Sequence, residues 1–365
     1  MPQGAYDDLL QLRQNVATLV VESRIVINSR GRSLSVPFSP AWAEAAEALI
    51  TGTSRAEFLS GAGGGLNADV QDTAERFLEA LDGIGALQSP TRPTSVPAAV
   101  LERHARSLRY FGGYETSDVD RFGYLERLRS ARVFVLGLGG AGSWIVYQLL
   151  LAGIGTMTAA DGDVVAVSNL NRTALVDADD VGRPKAEVLQ ERLSSLFPDA
   201  DLRFEQKMMA GPEDIAVAAH DSDLIIGAAD TPHRTIRLWV SQASLRLGVP
   251  SIQTGGGRVG PFFVPGRSAC AGCLQAMLLA RAGQAGAAVL ADLDRFALVA
   301  ASTLSPQPCA DSALLVQEAV RHLAGHQEPA TLNQVMQKGP NLLDGHFLKL
   351  APRDDCLIGC RTHGA

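Results

Sequence analysis

The fold of this chain is decided by residues 133–185, which read VFVLGLGGAGSWIVYQLLLAGIGTMTAADGDVVAVSNLNRTALVDADDVGRPK. The apolar run Val133–Leu136 is followed by a glycine-rich turn and a helical pattern over Ser143–Ala152. A buried strand, a tight turn and a helix in this order are typical of the first unit of a doubly wound parallel sheet. Such a turn lets backbone N–H groups approach a phosphate closely, and its glycines are Gly137, Gly139, Gly140 and Gly142.

An acidic residue ends the next apolar strand. Asp161 follows Gly142 by nineteen positions, where a carboxylate can accept hydrogen bonds from ribose hydroxyl groups. Taken alone, the glycine turn and this acid fit a dinucleotide as well as another nucleotide. The residues that follow therefore have to distinguish between them.

Those residues are polar and regularly spaced: Asp163, then the run SNLNR that ends at Arg172, then the run GRPK that ends at Lys185. The amide of Asn169 and the two cations Arg172 and Lys185 would suit a triphosphate, whose charge must be held while one phosphorus is attacked. The alternative is a solvated charged loop. Cations rarely fall at these spacings from a glycine turn and a ribose acid together, so we favour the triphosphate.

Together the motifs GxGGxG, DxDxVxxSNLNR and GxxK resemble those of the ubiquitin-activating-enzyme-like adenylyltransferases of the ThiF/MoeB type. The resemblance covers roughly Arg109 to Cys360, and Thr173 stands where the family usually has glutamine. It implies a Rossmann-like α/β fold, ATP and Mg²⁺ as cofactors, and a substrate carboxylate that attacks the α-phosphorus. That carboxylate needs no general base because it is already ionised at pH 7.

The resemblance also implies roles for single residues. Arg172 and Lys185 would grip the β- and γ-phosphates, Asn169 would bind a phosphate oxygen, and Asp163 would help to bind the nucleotide. Asp230, just after the apolar strand Leu224–Gly227, would lie by the triphosphate and help to bind Mg²⁺, which prefers hard oxygen ligands. We therefore expect Arg172, Lys185 and Asp230 to be catalytic. The structural alternative for Asp230 is a helix N-cap.

Four cysteines form two close pairs, Cys270 with Cys273 and Cys356 with Cys360. In a reducing compartment this spacing favours a tetrahedral four-thiolate Zn²⁺ site of structural type over a disulfide. A redox pair is the alternative. The second pair has three intervening residues, where the family commonly has two.

The fifth cysteine, Cys309, is either a thioester-forming nucleophile, as in some family members, or a packing residue at the start of a helix over Ala310–Leu323. The chain also departs from the family pattern RYxRQ, whose second arginine reaches ATP in the partner subunit. This chain has RYFGG at Arg109–Gly113, so Arg106 or Arg121 would have to substitute. A homodimer is the expected assembly.

The N-terminal part predicts a small winged-helix-like domain over residues 1–88. Arg24–Val36 alternates apolar and polar residues as a β-hairpin does, and helical patterns follow over Ala41–Ile50 and Ser54–Leu59. A third helix has one apolar face, formed by Val70, Ala74, Phe77, Leu78 and Leu81. A proline-rich and serine-rich linker over 89–97 then leads to an ATP-binding domain over 98–365 that includes the zinc site.

This arrangement resembles the precursor-peptide recognition element of enzymes that modify ribosomally made peptides, in which a leader peptide adds a strand to an exposed sheet edge. A dimerisation or packing domain is the alternative. With a net charge of −7 and a pI near 5.5, the chain is an unlikely nucleic-acid binder. It shows no signal peptide and no run of eighteen apolar residues, so we expect no membrane partner and a cytoplasmic protein.

Three hypotheses for function follow. The preferred one is ATP-dependent adenylation of a carboxylate or carboxamide in a ribosomally made precursor peptide. The second is activation of the C-terminus of a ubiquitin-like sulfur-carrier protein. The third is a non-catalytic protein that binds a leader peptide and delivers it to a separate modifying enzyme; this is disfavoured because the nucleotide-binding side chains are all present.

Overall fold

The computed structural model describes residues 9–13, 16–22, 24–29, 32–37, 40–60, 68–87, 94–116, 118–291, 304–339 and 344–361. The chain divides into two compact units, Met1–Glu126 and Arg127–Ala365. The predicted linker over 89–97 lies partly outside the described residues and stays a prediction. None of the helices in the described ranges combines the length and the hydropathy that a membrane crossing needs.

The described residues of the first unit form five short strands, β1 (Leu9–Leu10), β2 (Ala17–Val21), β3 (Arg24–Ser29), β4 (Arg32–Pro37) and β5 (Thr53–Ser54). The predicted hairpin is confirmed as β3 and β4, but β3 also pairs antiparallel with β2, which the sequence analysis missed. The chain turns after β2 at Glu22, whose φ is 54°. Glycine or asparagine normally marks such a turn, so the composition gave no sign of it.

The helices of the first unit agree with the patterns. They are α1 (Pro40–Thr51), α2 (Arg55–Ser60), α3 (Ala68–Gly83), α4 (Ala98–Arg103) and α5 (Ala105–Gly112), and α6 (Arg121–Ser130) runs into the second unit. Ser54 caps α2: its hydroxyl accepts from the N–H of Glu57, and the Glu57 carboxylate accepts from the N–H of Ser54, both at 3.1 Å. The predicted apolar face of α3 is buried against β3; the side chain of Val70 lies outside the described set.

The second unit contains an eight-stranded sheet in its described residues. Its strands are β6 (Arg132–Leu136), β7 (Thr156–Asp161), β8 (Asp201–Gln206), β9 (Leu224–Gly227), β10 (Ser251–Gly255), β11 (Arg258–Val259), β12 (Gln334–Lys338) and β13 (Gly345–Lys349). Its helices are α7 (Gly140–Ala152), α8 (Lys185–Leu196), α9 (Pro212–Ala218), α10 (Thr235–Leu247), α11 (Ala271–Ala291) and α12 (Pro306–Ala324).

The sheet order is β13-β12-β11-β10-β9-β6-β7-β8. The five strands from β6 to β10 are parallel, as predicted, whereas β11 to β13 extend the sheet in antiparallel pairs that the sequence analysis did not foresee. The chain leaves β6 toward β7 on one side and returns to β9 on the other. This is a topological switch point, where ligands of doubly wound sheets bind at the carboxyl ends of the strands.

The glycine turn is packed tightly against helix α7. Gly137 has a φ of 91°, which favours glycine. A Cβ on Gly142 would lie 1.8 Å from the carbonyl oxygen of Gly137. Gly142 therefore allows the helix to approach the end of β6.

We expect Gly142→Ala to lower the thermal midpoint of unfolding by several degrees, because overpacking of this kind costs about 1–3 kcal/mol. Gly139→Ala is the matched control: Gly139 has a φ of −74°, and a Cβ there meets nothing within 4 Å. Differential scanning calorimetry measures both variants. Equal midpoints would contradict the close packing assigned to Gly142.

Candidate functional site

A cleft of about 650 Å³ lies where the parallel strands β6, β7, β9 and β10 end. Almost all of the residues predicted to bind the nucleotide line it together: Gly137, Gly139, Gly140, Asp161, Asp163, Asn169, Arg172, Lys185 and Asp230. Gly142 is the exception, because it lies behind the turn and supports its packing. The cleft is large enough for a nucleotide together with part of a second substrate.

Asp161 is fixed at the end of β7. Its side chain is 9% exposed, and its two carboxylate oxygens accept from the N–H groups of Leu138 at 2.6 Å and Asp163 at 2.8 Å. Burial raises the pKa of this carboxyl group, while the charge of Lys185 and the two N–H groups oppose the rise. A carboxylate has about four acceptor positions, so Asp161 keeps acceptors for ribose hydroxyl groups.

Lys185 begins helix α8 and is 6% exposed. Its Nζ lies 2.8 Å from Oδ2 of Asp163, whose side chain is 59% exposed. The buried stem and the short ion pair hold the ammonium group at the wall of the cleft. Because Asp163 is largely solvated, a more highly charged ligand such as a phosphate can compete for Lys185 at low cost.

Arg172 and Asn169 lie in the loop after β7. A Cβ on Gly140 would be 3.2 Å from Cγ and Cδ of Arg172, so the third glycine of the turn makes room for the stem of the arginine. The carbonyl oxygen of Arg172 accepts from Nε1 of Trp144 at 3.1 Å, which ties the loop to helix α7. Oδ1 of Asn169 accepts from the N–H of Ala166 at 3.0 Å, which leaves its amide N–H groups as donors for an anion.

Asp230 is exposed at the start of the segment between β9 and α10. Oδ1 accepts from the hydroxyl of Thr231 at 3.3 Å, a weak contact. The other carboxylates of the cleft are held more firmly: Asp161 by two N–H groups, Asp163 by Lys185, and Asp311 by Lys338. A weakly held carboxylate of this kind has oxygens available to a hard cation such as Mg²⁺.

Sequence reasoning missed several lining residues. Lys338 on β12 pairs with Asp311 on α12, with side-chain exposures of 4% and 10%, and burial raises the pKa of the Asp311 carboxyl group. These two residues come from the antiparallel extension and from a distant helix, so no local motif could have indicated them. Arg237 on α10 was also missed, although an arginine seven positions after Asp230 could have suggested it.

The four paired cysteines meet in one cluster, with all four sulfur atoms within 4.8 Å of one another. The Sγ–Sγ distances are 3.4 Å for Cys270–Cys356 and Cys273–Cys360, and 3.9 Å for Cys270–Cys273. These values are close to the roughly 3.8 Å edge of a tetrahedron built on Zn–S bonds, and much longer than a disulfide bond. The chemistry and spacing of the donors therefore fit Zn²⁺.

Cys309 is half-buried near the start of α12 and does not line the cleft, although its neighbours Gln307 and Pro308 do. Arg121 is buried and donates to Oε1 of Glu115 at 2.9 Å, so it has a firm partner in its own unit. Arg106 is exposed. Neither arginine is among the residues that line the cleft. The replacement of the partner-subunit arginine by one of them stays a prediction.

Comparison with known proteins agrees with this geometry. Sulfur carrier protein ThiS adenylyltransferase of Escherichia coli is 33% identical over 153 residues, which are 41% of this chain and 60% of that protein. The tRNA threonylcarbamoyladenosine dehydratase of Haemophilus influenzae is 30% identical over 137 residues, which are 38% of this chain and 52% of that protein. The chain thus spans a little over half the length of these relatives.

Solved structures match over nearly the whole chain. E. coli MccB with ATP has a TM-score of 0.73 at 20% identity and covers 96% of this chain and 99% of that one. MccB with MccA-N7isoAsn has a TM-score of 0.76 at 21% identity, with 97% and 99% covered. PaaA has a TM-score of 0.72 at 21% identity, with 93% and 99% covered. These likenesses confirm the Rossmann-like α/β fold.

The model of the ThiF family matches residues 106–358, a segment that contains the glycine turn, the cation-bearing loop, Asp230 and three of the four clustered cysteines. A cleft at the switch point, lined by the predicted glycines, acids and cations, agrees with that match. The chain belongs to the ThiF family.

Proposed function

We propose that this protein is an ATP-dependent adenylyltransferase that activates a carboxylate or carboxamide of a ribosomally made precursor peptide. The observation that carries the proposal is the convergence of Asp161, Asn169, Arg172, Lys185 and Asp230 on one cleft at the switch point. Similarity to a ThiS adenylyltransferase and a fold shared with MccB, solved with ATP, support it.

In the proposed step, an oxygen of the substrate carboxylate bonds to the α-phosphorus of ATP. The bond from that phosphorus to the bridging oxygen breaks, and pyrophosphate leaves with the electron pair. Arg172 and Lys185 offset the charge that develops on the phosphates, and Asp161 holds the ribose. Mg²⁺ would neutralise phosphate charge, with Asp230 as its protein ligand.

The first unit would recognise the peptide. It adds to the ThiF segment a small antiparallel sheet whose edge strand β2 exposes Leu19 and Val20 by 52% and 62%. An extended leader peptide can pair with such an edge through main-chain hydrogen bonds and cover the apolar side chains. The solved structure of MccB in complex with N-formylated MccA adds support for a peptide partner. We also propose a homodimer, as the family resemblance implies.

A second candidate is activation of a sulfur-carrier protein, which the similarity to ThiS adenylyltransferases of E. coli and Bacillus subtilis favours. A peptide-binding first unit would have no role in that reaction. The two candidates therefore differ in whether the first unit is needed for turnover.

ATP–pyrophosphate exchange by the zinc-loaded protein tests the proposal. We expect exchange that depends on a cognate precursor peptide and that falls when Leu19 and Val20 are both replaced by lysine, with Lys349→Ala on exposed strand β13 as a control. Exchange that depends instead on a carrier protein ending in diglycine would favour the second candidate. Peptide binding without exchange would support a delivery protein.

A further inference from the structure

A second, smaller pocket of about 130 Å³ opens beside the main cleft. It shares His233, Arg237, Gly255 and Gly256 with the cleft. It lies toward β10 and β11, on one side of the switch point. Strand β7, which Arg172 and Lys185 follow in the chain, is on the other side. A group bound there would be next to a nucleotide but away from the cations proposed to hold its phosphates.

The lining of this pocket is strongly cationic. Arg234, Arg237 and Arg258 contribute to it, and its lining includes no aspartate or glutamate. Nε of Arg258 donates to Oε1 of Gln337 at 2.5 Å. Among the described residues, neither Arg237 nor Arg258 has a carboxylate within ion-pair distance, although the charge of Asp230 acts on Arg237 from farther away.

The backbone is shaped to hold Arg237 in place. A Cβ on Gly255 would lie 2.4 Å from an Nη atom of Arg237, and Gly255 has a φ of 138°. The guanidinium group therefore packs directly on bare backbone. Burial lowers the pKa of Arg237, the nearby charge of Arg258 lowers it further, and the charge of Asp230 opposes part of this fall. Burial also lowers the pKa of Arg258. Both arginines stay charged at neutral pH, and an anion would relieve this cost.

Part of the pocket wall is apolar and is formed by Ala271, Leu274 and Leu278. A free phosphate would leave that wall without a partner, whereas an acidic amino-acid side chain would place its methylene groups there and its carboxylate on the arginines. The fork of a guanidinium group matches a carboxylate well. The volume suits one short side chain.

We propose that this arginine pocket, built on Arg237 and Arg258, binds a second acidic group of the residue that is activated. The inference rests on the proposed adenylation and names its substrate class. The reacting residue carries one carboxylate that attacks ATP and a second that binds the arginines, as a terminal aspartate or glutamate does. The glycine end of a sulfur carrier has no such second group.

Ligand-observed NMR titration tests the pocket, with the zinc-loaded full chain saturated with a non-hydrolysable ATP analogue so that the phosphate-binding groups are occupied. The probes are N-acetyl-aspartate, with two carboxylates, N-acetyl-glycine, with one, and inorganic phosphate. We expect N-acetyl-aspartate to bind roughly tenfold or more tightly than N-acetyl-glycine, the effect of one charge-assisted contact. Arg258→Gln should abolish that preference, and Arg258→Lys should restore only part of it.

Arg246→Gln is the matched control, because Arg246 is exposed on the same helix as Arg237 and pairs with Glu213. It should keep the preference. Three results would overturn the inference. The two N-acetyl probes could bind equally well, the preference for N-acetyl-aspartate could survive Arg258→Gln, or phosphate could bind most tightly.

Failure of the pocket is distinguishable from failure of the proposed function. An Arg258-dependent preference without exchange by any peptide or carrier would support the pocket and overturn adenylation. Exchange with a glycine-ending substrate at equal KM in the wild type and Arg258→Gln would support adenylation and overturn the pocket.

Discussion

Replacing Lys185 by alanine should lower the rate of ATP–pyrophosphate exchange by about 10²–10³-fold, equivalent to roughly 3–4 kcal/mol of transition-state stabilisation. Lys185 is 6% exposed and its ammonium group lies in the cleft, 2.8 Å from Asp163. A cation in such a water-poor wall stabilises developing phosphate charge more than a solvated one. Exchange kinetics at saturating ATP and peptide measure the effect.

The control is Lys349→Ala, which removes the same charge from exposed strand β13. It should leave exchange unchanged. The thermal midpoint of Lys185→Ala should fall only slightly, because its partner Asp163 stays solvated. A loss of exchange in proportion to a loss of folded protein would mean that Lys185 is structural, and exchange at the wild-type rate would contradict its proposed role.

Replacing Cys273 by serine should remove bound zinc and lower the thermal midpoint of the second unit by more than ten degrees. Binding of structural zinc by four thiolates is worth on the order of 10 kcal/mol in small domains, and part of that free energy stabilises the fold here. The cluster joins the start of α11 to the segment 356–360, so its loss would release the end of the chain. Metal analysis and calorimetry measure the two effects.

Cys309→Ser is the matched control, since Cys309 is half-buried and is not part of the cluster. It should retain one zinc per chain and the wild-type midpoint. A Cys273→Ser protein with full zinc content would contradict the four-thiolate site. Loss of exchange in Cys309→Ser, with zinc intact, would point instead to a catalytic thiol.

Local sequence was sufficient for much of the site. Gly137 directly follows β6 and Asp161 ends β7, and the parallel pairing of these two strands places both residues at the same sheet edge. The capping box of Ser54 and Glu57 was equally local. Strand β2 was missed because its turn at Glu22 uses a residue that is uncommon at positive φ.

The amino-acid sequence by itself determined the parallel core, the glycine turn, the family motifs and the pairing of cysteines, because each depends on spacing within one or two adjacent elements. Only the tertiary structure decided the antiparallel strands β11–β13, the buried pair of Lys338 and Asp311, and the pocket of Arg237 and Arg258. Lys338 and Asp311 are 27 positions apart and lie on a strand and a helix. Contacts of this kind depend on how separate elements pack, and no periodicity within one element records that.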